Sequence, residues 1–217
     1  MSNRTLTKAV LGATAAVTLA ACATTSLQST WKDPTAAPLN LKGKKVVALV
    51  VTDEEALRYA TEEEAVREIA AHGAIGVPAY RLLPQAQIRD KERARAIFEQ
   101  EGIEAVVVVR QVAKEKALSG SFWGSPGYSS FWGPGFGGWG RGWGGADDGY
   151  LHVDAILVVE TLVYSLPQDK LLWASQSETM NPSEVGPFIH KLCRKVGAEL
   201  EKQGLLADPA RIAAVGF

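Results

Sequence analysis

The chain has 217 residues and a mass of 23.2 kDa, room for one domain of ordinary size. Hydrophobic residues make up 47% and charged residues 22%, which supports a buried core and excludes a chain disordered by composition. Lys plus Arg is 23 against Asp plus Glu at 24, so the formal net charge of -1 speaks against a basic nucleic-acid binder. Two cysteines exclude a disulfide framework and a four-thiolate zinc site.

The start carries Arg4 and Lys8 and no acid, then the 13 uncharged residues Ala9–Ala21, then Cys22. As a helix the apolar run spans roughly 20 Å, too short for a hydrocarbon core of about 30 Å. It has the form of a secretory signal segment over residues 1–21. The tetrapeptide Leu19-Ala20-Ala21-Cys22 resembles the lipobox of bacterial lipoproteins. That resemblance implies cleavage before Cys22 and acylation of its thiol and of the new amine. The covalent lipid on Cys22 would be the chain's only non-protein group, and the chain's contact with a membrane. Two or more acyl chains hold a protein on a membrane stably, where a single chain does not. Ala23, Thr24 and Thr25 follow without an aspartate. By the enterobacterial sorting pattern this implies the outer membrane, with the domain facing the periplasm. Removing residues 1–21 also removes Arg4 and Lys8 and leaves a mildly acidic chain.

Residues 22–43 read as the lipidated N-terminus and a flexible tether, rich in Thr and Ser, with Pro34 and Pro38 and little periodicity. Trp31 is its one large apolar residue, suited to docking on the domain or to the lipid headgroups. The domain is expected over 44–206. Val46–Val51 is a short β-branched run, a strand buried on both faces. Thr61 with Glu64 forms a capping-box pattern at a helix start, with Ala65, Val66, Ile69 and Ala70 as its apolar face and Gly73 as its stop. A short strand is expected over Val77–Leu83. Asp90 caps a second helix, with Ala94, Ile97 and Phe98 on its inner face and Gly102 at its end. Ile103–Val112 reads as a strand, Tyr150–Ser165 as another, and Leu171–Thr179 as its hairpin partner. Asn181-Pro182 opens a final helix, along which Val185, Phe188, Ile189, Leu192, Cys193, Val196 and Leu200 recur at helical spacing up to Gly204. Residues 207–217 are a C-terminal tail.

This order gives an α/β domain: a mixed sheet from βαβαβ, followed by an antiparallel hairpin and a C-terminal helix, with the helices packed on the sheet. Two stretches carry a further resemblance. They are Lys44-Lys45-Val46-Val47-Ala48-Leu49-Val50, and Val158–Tyr164 followed by Lys170-Leu171-Leu172-Trp173 and a helix. Over about residues 44–203 the chain resembles the curli-secretion lipoproteins and the outer-membrane activators of penicillin-binding proteins. It is also similar to lipoproteins of a domain family of unknown function that place a Gly- and aromatic-rich loop before a strand ending in Trp. None of these is an enzyme family.

Residues 119–149 hold 12 of the 21 glycines and four of the six tryptophans. Phe122, Phe131, Phe136 and Tyr128 stand among them, and glycine at this density opposes both helix and strand. Gly140, Gly142 and Gly145 match a dinucleotide fingerprint in spacing, but a strand rather than a helix follows, so the match carries no phosphate site. Three readings stay open for the segment. Trp123, Tyr128, Trp132, Phe136, Trp139 and Trp143 could form an interaction surface for a protein or glycan; the aromatics could enter the membrane interface beside the anchor; or the segment is a tolerated insertion covering the sheet.

His152 and Asp154 share a strand face and form the candidate catalytic or metal-binding pair, though solvent-facing pairs of this kind are common. His72, His152 and His190 fall on separate elements and make no ligand motif, so no metal site is expected. Cys193 reads as a small buried hydrophobe, and Glu160 as a paired carboxylate or one at a sheet edge. The expectation is a non-enzymatic outer-membrane lipoprotein whose domain binds a protein partner in an envelope or secretion assembly, without nucleic acid. The alternatives are a ring-forming secretion or pore subunit and a periplasmic enzyme using His152 and Asp154. Oligomeric state stays open.

Overall fold

A computed structural model describes residues 25–87, 90–112, 130–132, 157–179 and 185–206. Their elements run β1 (Thr25–Lys32), β2 (Lys45–Val51), α1 (Glu55–Ala71), β3 (Ile75–Pro78), α2 (Ala79–Leu82), a 3-10 turn at Gln85–Gln87, α3 (Lys91–Gln100), β4 (Ile103–Val112), β5 (Leu157–Ser165), β6 (Lys170–Thr179) and α4 (Val185–Lys202). The six strands form one mixed sheet in the order β1-β6-β5-β4-β2-β3. β2 pairs parallel with β3 and β4, while β5 pairs antiparallel with β4 and β6, and β1 antiparallel with β6. The expected α/β class and its mixed sheet are present.

The central strands are apolar on both faces because both are covered. Val47, Leu49, Val106, Val108, Leu162 and Tyr164 pack under Ala94 and Phe98 of α3. Ala48, Val50, Val159 and Val163 pack under Ala65 of α1 and the face of α4 formed by Phe188, Ile189, Leu192, Cys193, Val196 and Leu200. That α4 face is the one its helical spacing announced. Its proposed cap, Asn181-Pro182, lies outside the described residues, as do 150–156 of the expected long strand. Asp90 caps α3 as expected, its carboxylate accepting from Arg93 N at 3.0 Å.

Three expectations change. The stretch read as tether enters the fold at its fourth residue: Thr25–Lys32 is an edge strand, and Trp31 packs against the core on the α3 side. The chain after it also follows the domain, through Asp33 N to Leu172 O (3.0 Å) and Leu39 N to Leu205 O (2.9 Å). α1 begins at Glu55, more than a turn before Thr61, so Thr61 is a buried mid-helix residue rather than a cap. β3 covers Ile75–Pro78 only, and the remainder of the expected strand turns into α2. Pro78 explains the change, since it has no N–H for a ladder and readily starts a helix.

Among the described residues, two buried ion pairs interrupt the apolar interior. Arg110 and Glu160 face each other across β4 and β5, with Nε to Oε2 at 2.6 Å, so Glu160 is paired at the centre of the sheet and not at its edge. Arg58 and Glu62 lie one turn apart on α1, with side chains 1% and 0% exposed. Glu62 Oε1 accepts from Arg58 Nε (2.9 Å) and Val50 N (3.1 Å), and Oε2 accepts from Tyr80 N (2.7 Å). Arg58 also donates to Leu83 O (3.0 Å) and to Gln85 Oε1 (2.8 Å), and Gln85 donates to Thr52 O (3.0 Å). Burial pushes the Glu62 carboxyl up, and the Arg58 guanidinium opposes that push. Removing one member of such a pair strands the other charge. Glu62→Leu is expected to lower unfolding free energy by about 3–5 kcal/mol, read by equilibrium urea denaturation. A change near zero would show that the network holds nothing together.

Candidate functional site

The two ends of the sheet differ. β1 starts, β4 ends, β5 starts and β6 ends at one of them, where Thr25 pairs with Thr179, Leu157 with Thr179, and Val112 with Val158. The Gly- and aromatic-rich segment therefore lies in sequence between two strand ends, Val112 and Leu157, that share this end of the sheet, the end where Cys22 precedes the first strand. Cys22 itself lies outside the described residues. So do Trp123, Tyr128, Phe136, Trp139, Trp143, His152 and Asp154.

Trp132 is described, and it is not on a surface. It is 6% exposed, and its neighbour Phe131 is fully buried. The two rings meet edge to face with centroids 4.6 Å apart. Phe131 lies 5.3 Å from the Tyr164 ring, and both contact Phe98, at 6.5 Å and 6.2 Å. The Arg95 guanidinium covers Trp132 at 5.7 Å. Asp169, in the turn between β5 and β6, holds the pair in place: its carboxylate accepts from Trp132 N at 3.0 Å and from the Ser130 hydroxyl. Asp169 has φ of 43°, a left-handed conformation that a short Asp tolerates. So the middle of the segment is anchored at the far end of the sheet from where the segment enters. Of the six aromatics expected to form an interaction surface, Trp132 serves the core instead.

The remaining titratable side chains near the core act between elements. α1 and α4 lie side by side and run in the same direction. His190 Nδ1 on α4 lies 2.6 Å from Glu64 Oε1 on α1. Although burial opposes it, the hydrogen bonds from His190 and Arg67 hold the Glu64 carboxyl below the usual carboxylate range. Two turns on, His72 lies between Glu68 (Nε2 to Oε1, 3.3 Å) and Glu201 (Nδ1 to Oε1, 3.1 Å). Gly197 makes that approach possible, since a Cβ there would stand 2.5 Å from Glu68 Oε1 and 2.9 Å from His72 Nε2. His72 and His190 thus serve helix packing.

Beneath these helices is a cavity of about 70 Å³ between α1, α4 and the sheet face, walled by aliphatic side chains such as Ala65, Ile69, Val107, Val163 and Leu192. Thr161 lines it with a buried hydroxyl for which the described residues supply no partner. A wider recess of about 320 Å³ lies beside it, formed by Pro38–Lys42, His72 and Leu206. Leu39, Leu41, His72 and Leu206 line both spaces. Sequence periodicity places these residues on inner faces but cannot show that the faces fail to meet. Cys193 also lines the cavity, and burial, reinforced by the charges of Glu64 and Glu68, pushes its thiol up to about 12.

No family model matches the chain, and no curated protein matches it. Several solved structures align with it, two of them PelC assemblies. One is a variant of the PelC dodecamer from Paraburkholderia phytofirmans, at 14% identity over 80% of this chain and 94% of that one, with a TM-score of 0.43. The other is the PelC dodecamer from the same organism, at 12% identity with the same coverage and a TM-score of 0.42. Likeness this distant carries no inference about function or assembly.

Two outcomes follow from burial. With Cys22 replaced by Ser, a neutral-pH thiol reagent should leave Cys193 unmodified in the folded protein and label it on addition of denaturant. Rapid labelling of the folded protein would show that the thiol is reached. Trp132→Ala should lower stability by about 3–5 kcal/mol in thermal or urea unfolding, the cost of removing a buried aromatic.

Proposed function

We propose that the chain is a lipid-anchored protein of the bacterial cell envelope, held at the outer membrane by an acylated Cys22, and that its α/β domain works by binding another envelope protein and not by catalysis. One observation carries the reading: a basic start, an uncharged 13-residue run and Leu19-Ala20-Ala21-Cys22 stand immediately ahead of the first strand.

The fold sharpens what such an anchor would do. Only Ala23 and Thr24 separate Cys22 from Thr25. Three extended residue steps reach at most about 11 Å. A leash of twenty residues would let the domain roam; this link would hold the β1 end of the sheet at the lipid headgroups. The ends of β4 and β6 and the start of β5 lie at that same end.

The binding reading draws support from how the polar groups are used. Arg58 and Glu62, Arg110 and Glu160, and His72 with Glu68 and Glu201 are committed to contacts inside the domain. The Cys193 thiol, raised to about 12, is a poor nucleophile at neutral pH. Cys22→Ser should move the protein from the membrane to the soluble fraction of lysed cells and abolish its labelling by a radioactive fatty acid. A Cys22→Ser protein that stays in the membrane fraction sinks the anchoring claim. Photo-crosslinking in intact cells from positions on the exposed faces of α1 and α3 should give a discrete heterologous adduct for the wild-type protein; its absence at every position tested sinks the binding claim.

A further inference from the structure

We propose that the cavity between α1, α4 and the sheet is a binding site for a single unbranched acyl chain, which enters through the recess under Pro38–Lys42. The site is independent of the anchor at Cys22. The argument starts from its walls. Ala65, Ile69, Val107, Val163 and Leu192 offer the interior methyl and methylene groups, while of the polar members of the lining Glu68 and His72 pair with each other, which leaves the Thr161 hydroxyl as a single polar atom rather than a set. A water needs two to four polar partners to be held, and cavities lined this way stay dry and take apolar guests. The volume sets the guest's shape. A cavity of about 150 Å³ admits benzene; the about 70 Å³ here excludes a ring and fits the end of a straight chain.

The opening sets the guest's orientation. Leu39, Leu41 and Leu206 continue the apolar wall outward into the recess of about 320 Å³, where Asn40 and Lys42 provide polar groups at the rim. The guest therefore has an apolar tail that threads inward and a polar head that stays at the rim. A strap rather than an element closes this side. Leu39 is tied to Leu205 by one backbone hydrogen bond of 2.9 Å, and Gly43 to Gly73 by another of 2.9 Å. Displacing the strap costs little secondary structure.

A lipid on Cys22 that holds the chain in a bilayer, as proposed above, is not the occupant. The recess lies by the C-terminal end of α4, where Lys32 Nζ donates to Gln203 O at 2.8 Å. Cys22 precedes the opposite end of β1. The seven steps from Thr25 to Lys32 span roughly 23 Å at about 3.3 Å each.

The test uses the full-length Cys22→Ser protein, with dodecanoate below its micellar concentration as the probe and methyl NMR as the readout. The methyls of Ile69, Val163 and Leu192 are expected to shift saturably with dodecanoate and not with cyclohexanecarboxylate. Ala65→Leu places three more carbons in the cavity and should raise the thermal midpoint while weakening dodecanoate roughly tenfold or more. Should that variant fail to fold, Val163→Ile fills one methyl's worth and should weaken binding in the same direction. Thr161→Val keeps the volume and removes the unpaired hydroxyl, so binding should persist or tighten. The proposal is overturned by no saturable shift of the cavity methyls, by equal shifts with the ring compound, or by folded filling variants that bind as well as the parent. Loss of binding in Thr161→Val would also overturn it, since the guest would then be held by a polar group.

Discussion

The Glu62 carboxylate is the joint on which one half of the domain turns. It comes from α1, yet two of its three donors are backbone N–H groups of other elements, Val50 on β2 and Tyr80 on α2. Arg58 supplies the third and reaches on to Leu83 and Gln85. A backbone N–H without a partner in an interior is costly, so the two N–H groups need this acceptor as much as the carboxylate needs its cation. The network therefore fixes the angle at which α1 leaves β2, and with it the place where α1 meets α4. The contacts of His190 with Glu64 and of His72 with Glu68 and Glu201 follow from that placement.

Strand direction then divides the molecule's ends. The end holding Thr25, Val112, Leu157 and Thr179 gathers the start of the first strand and the two strand ends between which the Gly- and aromatic-rich segment lies in sequence. The end holding Lys32, Asp169 and the C-terminus of α4 gathers the turn that grips Trp132, along with the strap over the cavity. Phe131 and Trp132 add two aromatic rings to the α3 layer, which α3 alone covers with only Ala94, Ile97 and Phe98. A segment that looks like an insertion in the sequence thus completes one face of the core.

The elements that the sequence announced are those whose burial is apolar and regular. α4 buries Phe188, Ile189, Leu192, Cys193, Val196 and Leu200, and its spacing alone locates it. β4 matches its expected bounds because nearly every residue from Ile103 to Arg110 is covered on both sides. The first turns of α1 were hidden for the converse reason. Their buried residues are Arg58, Thr61 and Glu62, which an apolar pattern cannot register. β1 was hidden by a bulge between Leu27 and Ser29, which breaks the two-residue alternation of an already polar strand. Phe131 and Trp132 have no local period at all; a carboxylate 37 residues later positions them. The pattern Leu19-Ala20-Ala21-Cys22 can be read directly because it is linear, whereas the cavity is a misfit between two well-formed faces and has no linear signal.

These two features lie at opposite ends of the domain, and that separation constrains how they could work together. The anchor proposed at Cys22, three residues before β1, would hold one end of the sheet at the headgroups. The strap and its recess would then point away from that membrane, and a chain entering the cavity would not slide in from the leaflet below. It would arrive from the aqueous side, where a free acyl chain is poorly soluble and needs a carrier. The partner expected of the domain and the guest expected in the cavity would then be met on the same side of the molecule. Occupancy would be felt there first, because the strap residues Leu39 and Leu41 that wall the cavity also form the adjoining outer surface. A filled cavity would press on that strap, which is held by backbone bonds at Leu39 and Gly43 and by the packing of Leu39 and Leu41, while the Glu62 joint, remote from the strap, would keep α1 in place.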